Sequence, residues 1–441
     1  MTLPGGRPAI PDEHPGWAPS ILRGFLVFLL IAAIGISAAV TTFAVAVPNV
    51  SFVGALRVGA LYLGPFHHVA LVFEGDLAVD ASRLPGANLP ADGSATVELG
   101  VALLAVTALA AWLLFRAGRS SAFGRRASVR GLTGARVAFG YAPPVALVAL
   151  LVRFDEPVEL GSFVSGGVRV SLSLWQAIVF PFVLAALAGA SGGVWSWASW
   201  ASWARERSSA VRARAALGGG WRMFLVAIGL SYAGLFVAGI VQPDEPIALA
   251  TPSTARYFRT VFQRPGPGAA ILAHHLALSP NEAIWALVPA AGACDIVRGS
   301  EREDLLCYRR FPSFVASSGE VAFGNAPAGY LAFLLVPAIA TIAGGRWAGS
   351  ASGRSGAGSA VVGSAAGVVF ALVTLAGCVL SSITLSYGTT AGSVGRGGHL
   401  WVGPDPVTGT LLAVAWGVAG GALGAVTAGF RAWTRGWPRS G

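Results

Sequence analysis

The sequence has no lysine and little charge of either sign: Asp, Glu, Lys and Arg make up 11% of its 441 residues, against a hydrophobic share of 54%. Soluble globular domains carry about 25% charged residues, so this chain has too little charge to cover a water-exposed surface. Without lysine a P-loop cannot be completed, and neither a dinucleotide fingerprint nor a zincin motif is present. A pump energised by its own nucleotide site is therefore not expected. The net charge of +10 rests on arginine alone. These arginines stand in short runs between apolar segments, the pattern that orients membrane proteins, and do not form a nucleic-acid-binding patch.

Long apolar runs are what the sequence has instead. A helix needs about 20 apolar residues to cross the hydrocarbon core, and eight stretches meet or approach that length: 25–47, 97–115, 135–152, 171–191, 223–242, 328–344, 361–383 and 410–430. The first is too long for a signal-peptide core and lacks a small-residue cleavage site, so it reads as a retained span. Two further segments, 51–73 and 269–294, are apolar but interrupted. The first carries Arg57, Pro65, His67 and His68, the second His274, His275, Pro280, Asn281 and Glu282.

Arginine placement sets the expected topology. Arg116 to Arg130, Arg205 to Arg222, Arg346 with Arg354, and Arg431 to Arg439 mark cytoplasmic segments. The acidic or mixed loops, Glu74–Glu98, Arg153–Arg169 and Asp244–Glu320, alternate with them. The pattern closes if 51–73 and 269–294 are re-entrant or interfacial on the outer side. The expected fold is thus an all-α, polytopic membrane protein with about eight transmembrane helices and both termini cytoplasmic; ten spans is the rival. The expected organisation is a cytoplasmic tail at 1–24, a first transmembrane half at 25–216, a second at 217–430 with an outer loop at 243–327, and a basic cytoplasmic tail at 431–441. Trp195, Trp197, Trp200 and Trp203 read as an aromatic belt ahead of the second arginine run.

Local matches run in the same order through both halves and suggest a parallel internal duplication. Ala33-Ile-Gly-Ile-Ser37 matches Ala227-Ile-Gly-Leu-Ser231, and His67-His68-Val-Ala-Leu71 matches His274-His275-Leu-Ala-Leu278. A short polar, strand-like stretch precedes the last span of each half.

The paired histidines form the candidate polar membrane site: His67, His68, His274 and His275, with Glu74 and Glu282 close behind. Such residues suit a proton relay or, since imidazole also binds transition metals, a metal centre. The plainer reading is that they satisfy backbone freed where the apolar segments break. No cofactor or metal is expected. Gly189-Ala-Ser-Gly-Gly193 fits the wording of a serine nucleophile motif, but Ser191 and His274 fall at opposite membrane faces, and the chain is not read as an enzyme. Gly417, Gly420, Gly421 and Gly424 make a small-residue face for helix packing. Cys294 and Cys307, in a loop on the oxidising side, are a candidate disulfide.

Ala55-Leu-Arg-Val-Gly-Ala-Leu-Tyr-Leu63, Leu114-Phe-Arg-Ala-Gly-Arg119, Pro280-Asn-Glu-Ala-Ile-Trp-Ala-Leu287 and Val402-Gly-Pro-Asp-Pro406 resemble stretches of the PerM-like polytopic membrane proteins of actinobacteria. At the same level they are similar to the streptophobes. The Cys294–Cys307 loop and the histidine pairs depart from both. The resemblance implies a non-catalytic scaffold or stabiliser of a cell-envelope or division complex in the plasma membrane. Its partners would be the lipid bilayer and another integral membrane protein. The alternative is a secondary transporter or proton-coupled channel using the paired histidines.

Overall fold

The computed structural model describes residues 17–46, 52–79, 92–123, 125, 127–160, 164–195, 208–241, 265–299, 303–307, 311–315, 320–325, 328–391 and 394–435. It is mostly helical. The first half runs α1 (Trp17–Ala46), α2 (Phe52–Leu61), α3 (Leu63–Phe66), the hairpin β1 (Leu71–Val79) and β2 (Asp92–Gly100), then α4 (Leu104–Ser121), α5 (Ala127–Ala135) and α6 (Ala138–Leu151). The hairpin β3 (Phe154–Leu160) and β4 (Val164–Leu172) and the helix α7 (Leu174–Val194) complete it. The second half opens with α8 (Ser208–Val241) and α9 (Pro265–Ala290). The hairpins β5 (Asp295–Arg298) with β6 (Glu303–Leu306) and β7 (Phe311–Val315) with β8 (Glu320–Gly324) follow. A 3-10 turn (Ala328–Leu334), α10 (Leu335–Ser352), α11 (Ala357–Ser381), the hairpin β9 (Ile383–Ala391) and β10 (Val394–Pro404), and α12 (Pro406–Arg435) end it.

Seven helices among the described residues are long and apolar enough to cross a membrane: 17–38, 129–151, 174–194, 211–238, 330–352, 357–381 and 406–428. The protein is a multi-pass membrane protein. Helix α4 has the length, but Arg116, Arg119, Ser120 and Ser121 occupy its last two turns and lower its hydropathy.

Two expectations change. Residues 269–290 of the segment 269–294 lie in one continuous helix, α9, and Pro280 is accommodated within it. The expected boundary at 216/217 falls inside α8, because Arg212, Arg214 and Arg222 are carried on the helix itself. Trp197, Trp200 and Trp203 lie outside the described residues.

The largest departure from an all-α fold is an eight-stranded antiparallel sheet in the order β3-β4-β1-β2-β9-β10-β5-β6. The hairpins β1–β2, β3–β4 and β9–β10 each leave one helix and return to the next, and β5–β6 leaves the end of α9. The strands alternate with period 2, which sorts side chains to two faces. Leu172, Leu71, Leu99, Leu385 and Leu400 pair across five strands in one row, and Val170, Phe73, Val97 and Tyr387 make the next row on that face. The other face carries Ser171, Val72, Glu98, Ser386 and His399, then Arg169, Glu74, Thr96 and Gly388. Within the loops Glu74–Glu98 and Arg153–Arg169 that read as acidic or mixed, the described residues are thus largely strands with one polar face.

The helices pack in two bundles through small residues. Hydrophobic association is weak between helices in lipid, so close backbone approach supplies the contact. A Cβ on Gly118 of α4 would stand 2.6 Å from the Gly189 Cα of α7, and one on Gly345 of α10 would stand 2.6 Å from the Gly421 Cα of α12. Gly417 meets Gly367, Gly420 meets Thr341, and Gly424 meets the Ile342 carbonyl and the Arg346 amide. The glycine face of α12 is therefore used inside the chain, and it is not an outward contact surface. Gly189, Gly192 and Gly193 pack likewise, against α4 and α5.

Candidate functional site

The histidines separate into different environments. His67 caps α3 and is buried. Its Nδ1–H donates to the Leu63 carbonyl at 2.7 Å, and its Nε2 lies 2.5 Å from the Tyr141 hydroxyl, which donates to it. A neutral imidazole satisfies both bonds, so His67 ties α3 to α6. His68 is different. It adopts φ 61°, alone among the non-glycine residues described, and its buried Nε2 has no hydrogen-bond partner among the described residues. A non-glycine residue at positive φ costs about 1–3 kcal/mol, and an unmatched buried polar atom costs a similar amount. Both histidines lie outside the seven membrane-length helices. Burial pushes both imidazoles down, to about 4, and the neighbouring His67 charge adds to the effect at His68.

His274 and His275 stand elsewhere. They lie on α9 well before its end: His275 is fifteen residues from Ala290, about 22 Å of helix axis at 1.5 Å per residue. Their side chains lie outside the described residues. The end of α9 does resemble the end of α3. His67 and Val69 N–H both donate to the Gly64 carbonyl at 2.9 Å, and Ala291 and Ala293 N–H both donate to the Val288 carbonyl at 3.1 Å. At that end the residue matching His68 is Gly292, with φ 98°. The two histidine pairs therefore stand at different distances from a helix end. Among the described residues no group of three His, Cys, Asp or Glu side chains could hold a metal ion.

His68 instead faces a cavity of about 270 Å³ at the seam of the two halves, where β2 meets β9. Glu98, Ser386 and His399 line it as cross-strand neighbours on the polar face of the sheet. Ser386 Oγ and His399 Nδ1 are 3.0 Å apart. The sheet-proximal ends of two helices close the other side, Gln176 and Phe180 from α7, Val379 from α11 and Ser382 at its C-cap. Gln176 Oε1 accepts the Ala70 N–H at 2.7 Å, which fixes the carboxamide and leaves its NH2 free to donate. The sequence reading missed Glu98, Gln176, Ser386 and His399. The available signal was the strict alternation through Val97-Glu98-Leu99 and Leu385-Ser386-Tyr387, which marks strands with one polar face.

Glu74 lies on the same polar face, further from the helices. It sits 3.7 Å from Arg169, which is also bound to Asp155 at 2.8 Å. A wider, open depression of about 540 Å³ surrounds them. Glu282 is half-buried on α9 beside Asn281, far from Glu74 in the chain. Asn281 is buried and bridges the halves: its Nδ2 donates to the Ala102 carbonyl at 2.8 Å and its Oδ1 accepts the Leu104 N–H at 3.2 Å. Cys294 and Cys307 are joined in a disulfide across the helix-proximal ends of β5 and β6, with Cα atoms 4.6 Å apart. No known protein family, no curated protein and no solved structure matches this chain.

Proposed function

We propose that the chain is a non-catalytic scaffold or stabiliser of a membrane-associated envelope complex, and that its outward sheet is the working surface. The carrying observation is the sheet itself: four hairpins from two separate helix bundles join into one continuous eight-stranded surface. Its polar face is offered to solvent, and the bundles beneath it are closed by backbone-to-backbone glycine contacts. In this reading α4 is an eighth span, the arginine-rich helix ends are cytoplasmic and the sheet is extracytoplasmic.

The same reading makes the halves parallel copies of one unit. Strand order supports it: β3-β4-β1-β2 is followed by β9-β10-β5-β6, the same arrangement if each hairpin is matched in sequence order. The helix contacts support it too. Gly24 meets the Val137 carbonyl and Gly220 meets the Ala366 carbonyl, while Gly118–Gly189 repeats as Gly345–Gly421. The Ala33 and Ala227 match is offset from this register. Gly35 would press on Phe66 at 2.8 Å, whereas Gly229 has nothing within 4 Å. The transport alternative loses its main support here, because His67 is already bonded on both ring nitrogens and its presumed counterpart lies elsewhere.

Photo-crosslinking in cells tests the proposal. A crosslinking amino acid at Thr96 or Thr390, both exposed on the polar face of the sheet, should capture a recurring membrane or envelope protein, and one at lipid-facing Val361 should not. A sheet that captures no recurring protein from any position would refute the scaffold.

A further inference from the structure

We propose that the seam cavity binds one neutral, polyhydroxylated ring, the size of a single sugar unit, with His68 as a contact residue. Volume sets the scale. At about 270 Å³ the cavity lies just below the usual range for ligand pockets, roughly 300–1,000 Å³, so it suits one ring and excludes an oligosaccharide.

Charge excludes other occupants. No arginine lines the cavity and its one full charge is the Glu98 carboxylate, so an anion has no counter-charge there. A transition metal would need three ligating side chains together, and no such group is found among the described residues. What remains is a mixed set of donors and acceptors. Glu98 accepts. Gln176 donates through its free NH2, while the Ser386–His399 pair and the Thr384 hydroxyl can each offer either role. Hydroxyl groups, which donate and accept at once, match such a set. Phe180 and Val379 supply an apolar wall for the C–H face of a ring.

The backbone of His68 is the second, independent sign. The matching helix end uses Gly292, the residue type that adopts positive φ without strain. A histidine there places an imidazole against the cavity at the expense of an easy turn. Strain of this kind collects where a side chain is needed for binding.

The test uses the full chain in phospholipid nanodiscs. Methyl glycosides of glucose, galactose, mannose and N-acetylglucosamine are titrated by calorimetry, up to about 50 mM, a range that detects binding free energies as weak as about −2 to −4 kcal/mol. A second arm dopes the nanodiscs with monoglucosyl diacylglycerol and measures the thermal shift. Binding of a free glycoside assigns the site to soluble sugar; a shift with the glycolipid alone assigns it to a lipid headgroup. In either case His68→Gly and Glu98→Gln should weaken binding by about tenfold or more. The glycine variant reproduces the Gly292 end and so keeps the fold. No response in either arm, or binding unchanged in both variants, would overturn the proposal. Partner capture by the sheet is read separately, so the two readings fail independently.

Discussion

Replacing Gly345 with alanine should loosen the second helix bundle, and the structure sets the size of the effect. The added Cβ would stand 2.6 Å from the Gly421 Cα. Carbon atoms rest at about 3.5–4.0 Å, so α10 and α12 must part by about 1 Å. The obstacle is backbone, with no rotamer to swing aside, which places the cost toward the upper part of the ~1–3 kcal/mol range for overpacking. At roughly 2–4 °C per kcal/mol for a unit of this size, the apparent unfolding temperature should fall by roughly 4–10 °C. Gly118→Ala meets the Gly189 Cα at the same 2.6 Å and should behave as its twin. Gly229→Ala is the control, since nothing lies within 4 Å of its Cβ position. The assay is intrinsic tryptophan fluorescence on heating, in one mild detergent at one scan rate, because membrane proteins often unfold irreversibly. A Gly345→Ala protein as stable as the wild type, or a Gly229→Ala protein equally weakened, would refute the packing argument.

Other outcomes follow from the same geometry. His68→Gly should raise stability by about 1 kcal/mol, since it relieves a positive φ; a fall in unfolding temperature would count against the strain. Acid should destabilise the protein. The folded imidazoles of His67 and His68 titrate at about 4 and the unfolded ones near ~6.5, so the unfolded chain binds more protons between these values. Stability is then full above about pH 7, falls as pH drops through that window, and is lost in full below about 4. Unfolding temperatures at pH 7.5 and 5 should differ less in a His67→Gln, His68→Gly double variant, and an unchanged difference would exclude these groups. A cysteine at exposed Thr390 should react with an impermeant maleimide on intact cells, and one at Phe123, which is 85% exposed at the other end of α4, should not. The reverse would invert the topology. Reduction should slow or speed the protein on a denaturing gel through the Cys294–Cys307 bond, whereas Cys378, buried in α11, should resist alkylation until the chain unfolds.

Hydrophobic run length made the helices legible, and the arginine runs separated their two ends, because both signals are local and lipid imposes them on every span. The sheet was harder to see. Its strands are short and half polar, so composition files them as loops; only the alternation through Leu71-Val72-Phe73-Glu74 or Val168-Arg169-Val170-Ser171 gives them away. The disulfide was accessible for a different reason: two cysteines thirteen residues apart outside the apolar runs have few other uses. An adjacent histidine pair is a short string that carries no information about where a helix ends. Measured from a helix end, His68 stands in the same kind of turn as Gly292, whereas His274 and His275 lie well inside α9.

The seam cavity shows why a site can escape sequence reading even when every element is found. Its contributors come from the α3–β1 turn, β2, α7, the end of α11, β9 and β10. No two of them form a motif, and their meeting depends on one event, the pairing of β2 with β9 across the two halves. Until that pairing is known, Glu98 is a loop acid and His399 a stray histidine. Once it is known, Glu98, Ser386 and His399 fall into one row, and the odd backbone of His68 lies beside them. The seam gains something here that neither half has alone. The first half supplies Glu98, Gln176 and His68, the second supplies Ser386 and His399, and the polar set exists only where the halves join.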